Sequence, residues 1–324
     1  MNIKKVSRLA KSYFNYIKKN TRTNYFPCRV WIEVTSNCNL RCRLCPNKDI
    51  PSADKGFMDF DLYKQIMDQV GHRVNDIYLF HRGEPFLHPR LIDMITYAKK
   101  TPATIRIHTN ATLLDQENTD QIIKSGLDFI SFSFDGYDKK TYEAQRINSN
   151  FEHTLENIIY FLKRKKQLSS PLPYTVLQIM EYSPQQNKAV REKFLKNFDR
   201  LPLNRVVTRK PHNWAGLVQG ENHGRNNYVA CTFLWYALVI LFNGDMVPCP
   251  QDFKGSLKLG NIKQESIDSV FNGKSMQILR EKIAGKDIAD LVPCNCCDRL
   301  WRDTFMGLPT DYLKTFLKDN LGAS

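Results

Sequence analysis

The 324-residue chain is expected to fold as an α/β protein with a parallel sheet and crossover helices, followed by a small cysteine-bearing domain. Three observations predict this. Six short β-rich runs alternate with longer amphipathic stretches between residues 30 and 208, the rhythm of parallel strands joined through helices. The rhythm stops in a connection marked by Pro211, Gly216, Gly220 and Gly224. Seven of the nine cysteines fall into metal-like spacings, four of them beyond that break.

In chain order, the first residues carry Ile3, Val6, Leu9, Tyr13 and Ile17 at helical spacing with lysines between them. This reads as a basic amphipathic helix, expected to pack on the body of the protein, with a peripheral membrane or partner contact as the alternative. Strands are placed at residues 30–34, 76–80, 104–108, 128–134, 174–180 and 205–208. Helices are placed at 61–70, 89–100, 115–125, 152–166 and 185–198. Asn243-Gly244 is a strong hairpin signal, and residues 304–324 show a short helical pattern. The expected divisions are a basic extension over residues 1–27, a core over 28–210 and a C-terminal domain over 211–324. Periodicity alone does not say whether the sheet is open or curled into a barrel.

A hydrophobic content of 42% with 25% charged residues belongs to an ordinary globular chain with room for two cores. The net charge of +14 is partly local: eight Lys or Arg and no acid lie within the first 30 residues. The remaining excess is spread thinly and no nucleic-acid-binding module is present, which argues against nucleic acid. No apolar run approaches the roughly 20 residues of a membrane span, and no secretory core is found at the N-terminus. A cytoplasmic location is expected. Clustered cysteines there read as metal ligands rather than disulfides.

The most informative motif is Cys38, Cys42 and Cys45, a C-x3-C-x2-C loop directly after the first strand. Three thiolates on one short loop can hold three irons of a cubane cluster and leave the fourth iron open. Zinc is the competing reading, but it usually takes four ligands and no fourth Cys or His completes a motif nearby.

With this motif the chain resembles the radical S-adenosylmethionine (SAM) enzymes, and the segment from Cys231 to Cys297 resembles their SPASM or shorter twitch extension. The resemblance implies a partial (β/α)6 TIM-like barrel with an iron–sulfur domain at its C-terminal side, and chemistry at the carboxyl ends of the strands. It implies SAM chelated to the open iron of a [4Fe–4S] cluster. The element His81-Arg82-Gly83-Glu84-Pro85 is similar to the family's Gly-Gly-Glu-Pro, which implies that Gly83 and Glu84 meet the SAM amino group. Arg82 departs from the pattern, and so does Leu44, where the family usually has an aromatic residue. Thr109-Asn110-Ala111 is similar to a Thr-Asn-Gly element lining the SAM or substrate pocket. Ser133 and Arg146 match positions that bind the SAM carboxylate and ribose, the competing reading being a helix capped by Asp135 and an exposed arginine. Gln178 and Asn187 are weaker pocket candidates.

In the tail, Cys231, Cys249, Cys294 and Cys297 suffice for one auxiliary [4Fe–4S] cluster, with a structural zinc site as the alternative. Leu259-Gly260-Asn261-Ile262 and residues 266–271 match a turn and a short helix of SPASM sequences. Cys296 reads as a bystander and Cys28 as a small buried apolar residue. The stretch 210–216, with His212, Asn213 and Trp214, reaches either the substrate or a packing position. The resemblance implies a radical oxidoreductase acting by hydrogen-atom abstraction, with dehydrogenation or epimerisation of a carbohydrate-like small molecule as the expectation and a flavodoxin- or ferredoxin-type electron donor. One alternative is a peptide maturase forming thioethers or epimers. Only 37 residues precede Cys38, too few for the leader-binding domain many such enzymes carry, although a separate recognition protein would replace it. The other is a non-catalytic iron–sulfur or zinc protein binding RNA or a membrane.

Overall fold

The computed structural model describes residues 3–180, 188–218, 227–305 and 308–310. The six expected strands all form: β1 (Arg29–Ile32), β2 (Asp76–Tyr78), β3 (Thr104–Thr109), β4 (Phe129–Phe134), β5 (Tyr174–Met180) and β6 (Arg205–Arg209). Each pairs in parallel with the next. The crossovers run through α2 (Phe60–Val70), α3 (Leu91–Ala98), α4 (Gln116–Lys124), α5 (Lys139–Gln145), α6 (Phe151–Gln167) and α7 (Lys188–Leu195), after α1 (Ile3–Ile17) at the start. The helix starts follow local chemistry, since Asp59, Asp115, Asp138 and Asn150 each accept a hydrogen bond from a first-turn N–H. Helix α5 was not anticipated. Seven residues without an apolar stripe carry little periodic signal.

Alternation along the strands sorts the two faces. Val30, Ile32, Ile77, Ile105, Ile107, Ile130, Phe132, Leu177 and Ile179 point to the helices and form the main core. The opposite face carries Trp31, Tyr78, His108, Phe129 and Tyr174 in a run of ring contacts that passes from β1 to β5. Opposite faces for successive residues is the pleat at work.

The sheet does not end at β1. The apolar run 233–242 splits into a helical turn, α8 (Phe233–Tyr236), and a strand, β7 (Ala237–Ile240), which pairs in parallel with β1. Strands β8 (Asp245–Val247) and β9 (Gly260–Asn261) follow antiparallel, giving the order β6-β5-β4-β3-β2-β1-β7-β8-β9. The predicted Asn243-Gly244 turn joins β7 to β8 with Gly244 at φ +93°, a left-handed conformation that glycine adopts without penalty. The short helix α9 (Ile267–Phe271), capped by Ser266, and α10 (Lys274–Ala284) complete the tail. Strands β10 (Thr304–Phe305) and β11 (Leu308–Pro309) make a small hairpin where a helical pattern was expected. The rest of that expected helix, like Asn187 and residues 219–226, lies outside the described residues.

The first helix packs across the amino ends of the strands. Lys5 Nζ donates to Thr104 Oγ1 at 2.7 Å, and Arg8 donates to the carbonyls of His72 and Val74. Cys28 sits there too, 1% exposed with its Sγ against the Arg8 carbonyl, and burial pushes its thiol up to about 12. This is the small buried residue expected from the sequence. No helix among the described residues is long and apolar enough to cross a membrane.

Candidate active site

The cysteine loop leaves the carboxyl end of β1 and is pinned from three sides. Backbone N–H groups of Arg41 and Arg43 donate to the carbonyls of Ile147 and Gln145 at the end of α5. Asn47, 2% exposed, donates through Nδ2 to the carbonyls of Ser36 (2.7 Å) and Arg82 (2.9 Å), and its Oδ1 accepts from Lys55. Trp214 Nε1 donates to the carbonyl of Leu44 at 3.0 Å. An aromatic ring thus reaches the position next to Cys45 from the linker. The stretch 210–216 lies against the cysteine loop, where the sequence left its place open. Asn47 escaped sequence reasoning because an isolated asparagine after a motif carries no pattern.

Gly83 is required by close approach. A Cβ there would stand 2.4 Å from the carbonyl oxygens of both Thr35 and Asn37, backbone that leads straight into Cys38. Glu84 N–H meanwhile donates to the Asn37 carbonyl at 2.8 Å. Gly83→Ala is therefore expected to cost about 1–3 kcal/mol of stability and to displace the loop; a denaturant midpoint unchanged from the parent would overturn this.

Glu84, 3% exposed, turns its carboxylate into the protein. Oε1 accepts from Thr109 Oγ1 (2.7 Å) and Phe86 N (3.2 Å), and Oε2 from Asn110 N (2.7 Å). Burial pushes its pKa up to about 7 against the pull of these bonds. Its visible work is to clamp the end of β3 to the end of β2. Asn110 Nδ2 continues the chain to Asn39 Oδ1 at 2.9 Å, so the Thr109-Asn110 turn also braces the cysteine loop. The next residue, Ala111, has φ +62°, the conformation that explains glycine in the similar family element. Ala111→Gly relieves that strain but adds unfolded-state entropy, so a gain of at most about 1 kcal/mol is expected in thermal unfolding.

Arg146 is buried beside the loop, with Nε 3.0 Å from Asp135 Oδ2. Its charge acts on Cys42 and Cys45, opposing the burial that raises both thiols. The competing reading of an exposed arginine and an Asp135 cap does not hold: Asp138 caps α5. Ser133 is half-buried on β4 and in register with Gln178 of β5. Burial pushes Cys38 up to about 12, with Glu84 and then the Cys42 and Cys45 thiols adding to it, and pushes Cys45 up to about 11, with the Cys42 thiol adding to it. The structure thus brings Cys38, Cys42, Cys45, Gly83, Glu84, Thr109, Asn110 and Arg146 into one connected network at the strand ends.

Arg82, the departure from Gly-Gly-Glu-Pro, has no left-handed backbone, so that turn does not demand glycine. Its guanidinium instead makes a two-pronged ion pair with Glu33, Nε to Oε1 at 2.5 Å and Nη2 to Oε2 at 2.7 Å, with Glu33 wholly buried. Phe242 N–H donates to the same carboxylate and Arg82 Nη1 donates to the Phe253 carbonyl. The pair joins the ends of β1 and β2 to the C-terminal hairpin.

In the tail, Cys231 precedes α8, Cys249 follows β8, and Cys294 and Cys297 flank a short 3-10 turn. All four line one cavity, together with Ala215, Leu234, Pro248 and Leu300. Burial raises the Cys249 thiol well above its ordinary value, and the thiols of Cys231, Cys294 and Cys297 push it further. Four thiols on an apolar cavity fit an iron–sulfur cluster. Among the described residues no three His, Cys, Asp or Glu side chains are gathered tightly enough to chelate a single metal ion; thiols around a cubane stand one per iron and need not be. Cys296 is exposed and away from the cavity lining, while its carbonyl accepts from Asn213 Nδ2 at 2.7 Å. The linker therefore touches both cysteine sites, through Trp214 at one and Asn213 at the other.

The model for the radical SAM superfamily matches residues 32–177, and that for the SPASM iron–sulfur cluster-binding domain matches 231–298. A tungsten-containing aldehyde ferredoxin oxidoreductase cofactor-modifying protein of Pyrococcus furiosus is 38% identical over 108 residues, 33% of this chain and 30% of that protein. The chain spans about a third of the length of this and the next curated relatives it matches. Among solved structures, BtrN in complex with AdoMet and 2-DOIA aligns over 85% of this chain and 94% of its own, with TM-score 0.58 and 19% identity. Streptococcus suis SuiB bound to precursor peptide SuiA aligns over 93% and 76%, with TM-score 0.55 and 14% identity. These likenesses agree with the fold described above. With both cysteine sites inside the matched regions, the chain carries a radical SAM domain followed by a SPASM iron–sulfur cluster-binding domain.

Proposed function

We propose that the protein is a radical SAM oxidoreductase that removes a hydrogen atom from an unactivated C–H bond of a carbohydrate-like small molecule, leading to dehydrogenation or epimerisation. The observation that carries the reading is the convergence of Cys231, Cys249, Cys294 and Cys297 on one cavity, with Cys28 and Cys296 placed elsewhere. That is the ligand set of one auxiliary cluster. When bound, SAM on the [4Fe–4S] cluster of Cys38, Cys42 and Cys45 supplies a 5′-deoxyadenosyl radical, and the auxiliary cluster supplies an electron acceptor.

The chain's own residues bind and orient. Ser133 and Arg146 receive the SAM carboxylate and ribose, Arg146 being held in place by Asp135. Gly83 and the Thr109-Asn110 turn shape the pocket for the amino group, with Glu84 as their clamp. His212, Trp214, Phe253 and His81 form a run of ring contacts from the linker to the end of β2, a wall that keeps water from the reacting centre. A flavodoxin- or ferredoxin-type protein delivers the electron.

The match to BtrN over 85% of this chain, in a structure solved with AdoMet and 2-DOIA, supports a small-molecule substrate. The match to SuiB with its precursor peptide supports a second reading, a peptide substrate. The two separate in one experiment: 5′-deoxyadenosine formation by the anaerobically reconstituted protein with SAM and a strong reductant, with small-molecule or macromolecular fractions of cell extract added. Stimulation by the small-molecule fraction is the expected result. Stimulation only by the macromolecular fraction selects the peptide, and no 5′-deoxyadenosine from cluster-loaded protein overturns both.

A further inference from the structure

The first helix is fastened by one side and shows another, apolar side to solvent. Lys5, Arg8, Ser12 and Tyr16, three or four residues apart and so on one side of the helix, make the attachment. Ser12 Oγ donates to the Trp235 carbonyl and the Tyr16 hydroxyl to the Ala230 carbonyl, both at 2.9 Å, while Lys5 and Arg8 hold the strand ends as described. Ile3, Val6, Phe14 and Ile17, with Ala10 between them, follow the same spacing along a different side. They are 84%, 38%, 59% and 40% exposed. An amphipathic helix normally buries its apolar stripe against the body; here the polar and basic side is the one that packs.

Charge flanks the stripe. Lys4, Lys11 and Lys18 recur every seven residues along its border, Lys11 and Lys18 being exposed, and no acid occurs within the first 30 residues. Tyr13, half-buried, lies on the other border. At 15 residues the helix is shorter than the roughly 20 needed to span a bilayer. Its attachments lie at the amino ends of β2 and β3 and at the segment that leads through α8 into β7, so whatever covers the stripe leaves the carboxyl-end cysteine loop open.

We propose that α1 docks the protein on an anionic lipid surface, with Ile3, Val6, Phe14 and Ile17 entering the headgroup boundary and the lysine row meeting lipid charge. A second copy of the chain fits less well, because it would set one acid-free basic segment against another. An acidic electron-donor protein fits less well too, because α1 is fastened at the amino ends of β2 and β3 whereas the cysteine loop leaves the carboxyl end of β1. The inference does not depend on the reaction proposed above.

The test is co-sedimentation of the full chain with vesicles of phosphatidylglycerol and phosphatidylcholine, against vesicles of phosphatidylcholine alone, at low and high salt. Salt-sensitive binding to the anionic vesicles is expected. The K11Q/K18Q variant should bind about 25-fold more weakly, at about fivefold per lysine, and F14S/I17S about tenfold or more. All four side chains are exposed, so an unchanged thermal midpoint serves as the control for folding. Equal binding to both vesicle types, equal binding by parent and variants, or no binding would overturn the proposal. So would a concentration-dependent dimer that F14S/I17S abolishes in the absence of vesicle binding, which would hand the stripe to a second copy.

Discussion

Cys42→Ala is expected to abolish SAM cleavage, lowering 5′-deoxyadenosine formation to the background of protein-free controls. Two thiolates cannot present the three-iron hold that leaves one iron open, and neither remaining cysteine is placed to substitute: Cys296 is on the linker side of the tail turn and Cys28 at the opposite end of β1. The same logic predicts metal content. Replacing Cys38, Cys42 and Cys45 together should halve the iron and sulfide of the reconstituted protein, and replacing Cys231, Cys249, Cys294 and Cys297 should remove the other half. Cleavage by the Cys42 variant at the parent rate would refute the assignment of this loop. Zinc in place of the second half of the iron would reassign the tail site.

Breaking the Glu33–Arg82 pair should have the largest effect on stability. Arg82→Ala strands a wholly buried carboxylate whose one remaining hydrogen-bond partner among the described residues is the Phe242 N–H. Removing one member of a buried pair typically costs about 3–5 kcal/mol, most of it the uncompensated charge. Arg82→Lys should recover little, since one ammonium cannot reproduce two parallel N–H···O bonds. Combining Arg82→Met with Glu33→Gln should cost less than Arg82→Ala alone, because no charge is left unpaired. Denaturant unfolding of the four proteins measures this, and a loss below about 1 kcal/mol for Arg82→Ala would show that the carboxylate finds other partners.

The two expectations differ in how far each was readable beforehand. The cysteines of the first loop announce themselves by spacing, because three ligands on one short segment are local in the chain. The ion pair does not. Glu33 and Arg82 lie 49 positions apart, and Arg82 looked like a blemish in a glycine motif. Only the parallel pairing of β1 with β2 sets their side chains face to face. Likewise Asn47 and the Trp214 bond to Leu44 join segments whose separation in sequence carries no signal.

The α/β class, the six strands, most of the helices and the grouping of the four tail cysteines followed from periodicity, turn residues and cysteine spacing, all properties of neighbouring residues. What needed the tertiary structure was closure between distant segments. The run 233–242 reads as one apolar stretch, yet half is helix and half is a strand that extends the barrel sheet past β1. Whether a short apolar run becomes helix or strand depends on which partner offers it hydrogen bonds. The first helix makes the same point. Its amphipathic pattern was plain, but which face packs was decided by the hydrogen-bonding groups at the strand ends, which took the polar side and left the apolar one outside.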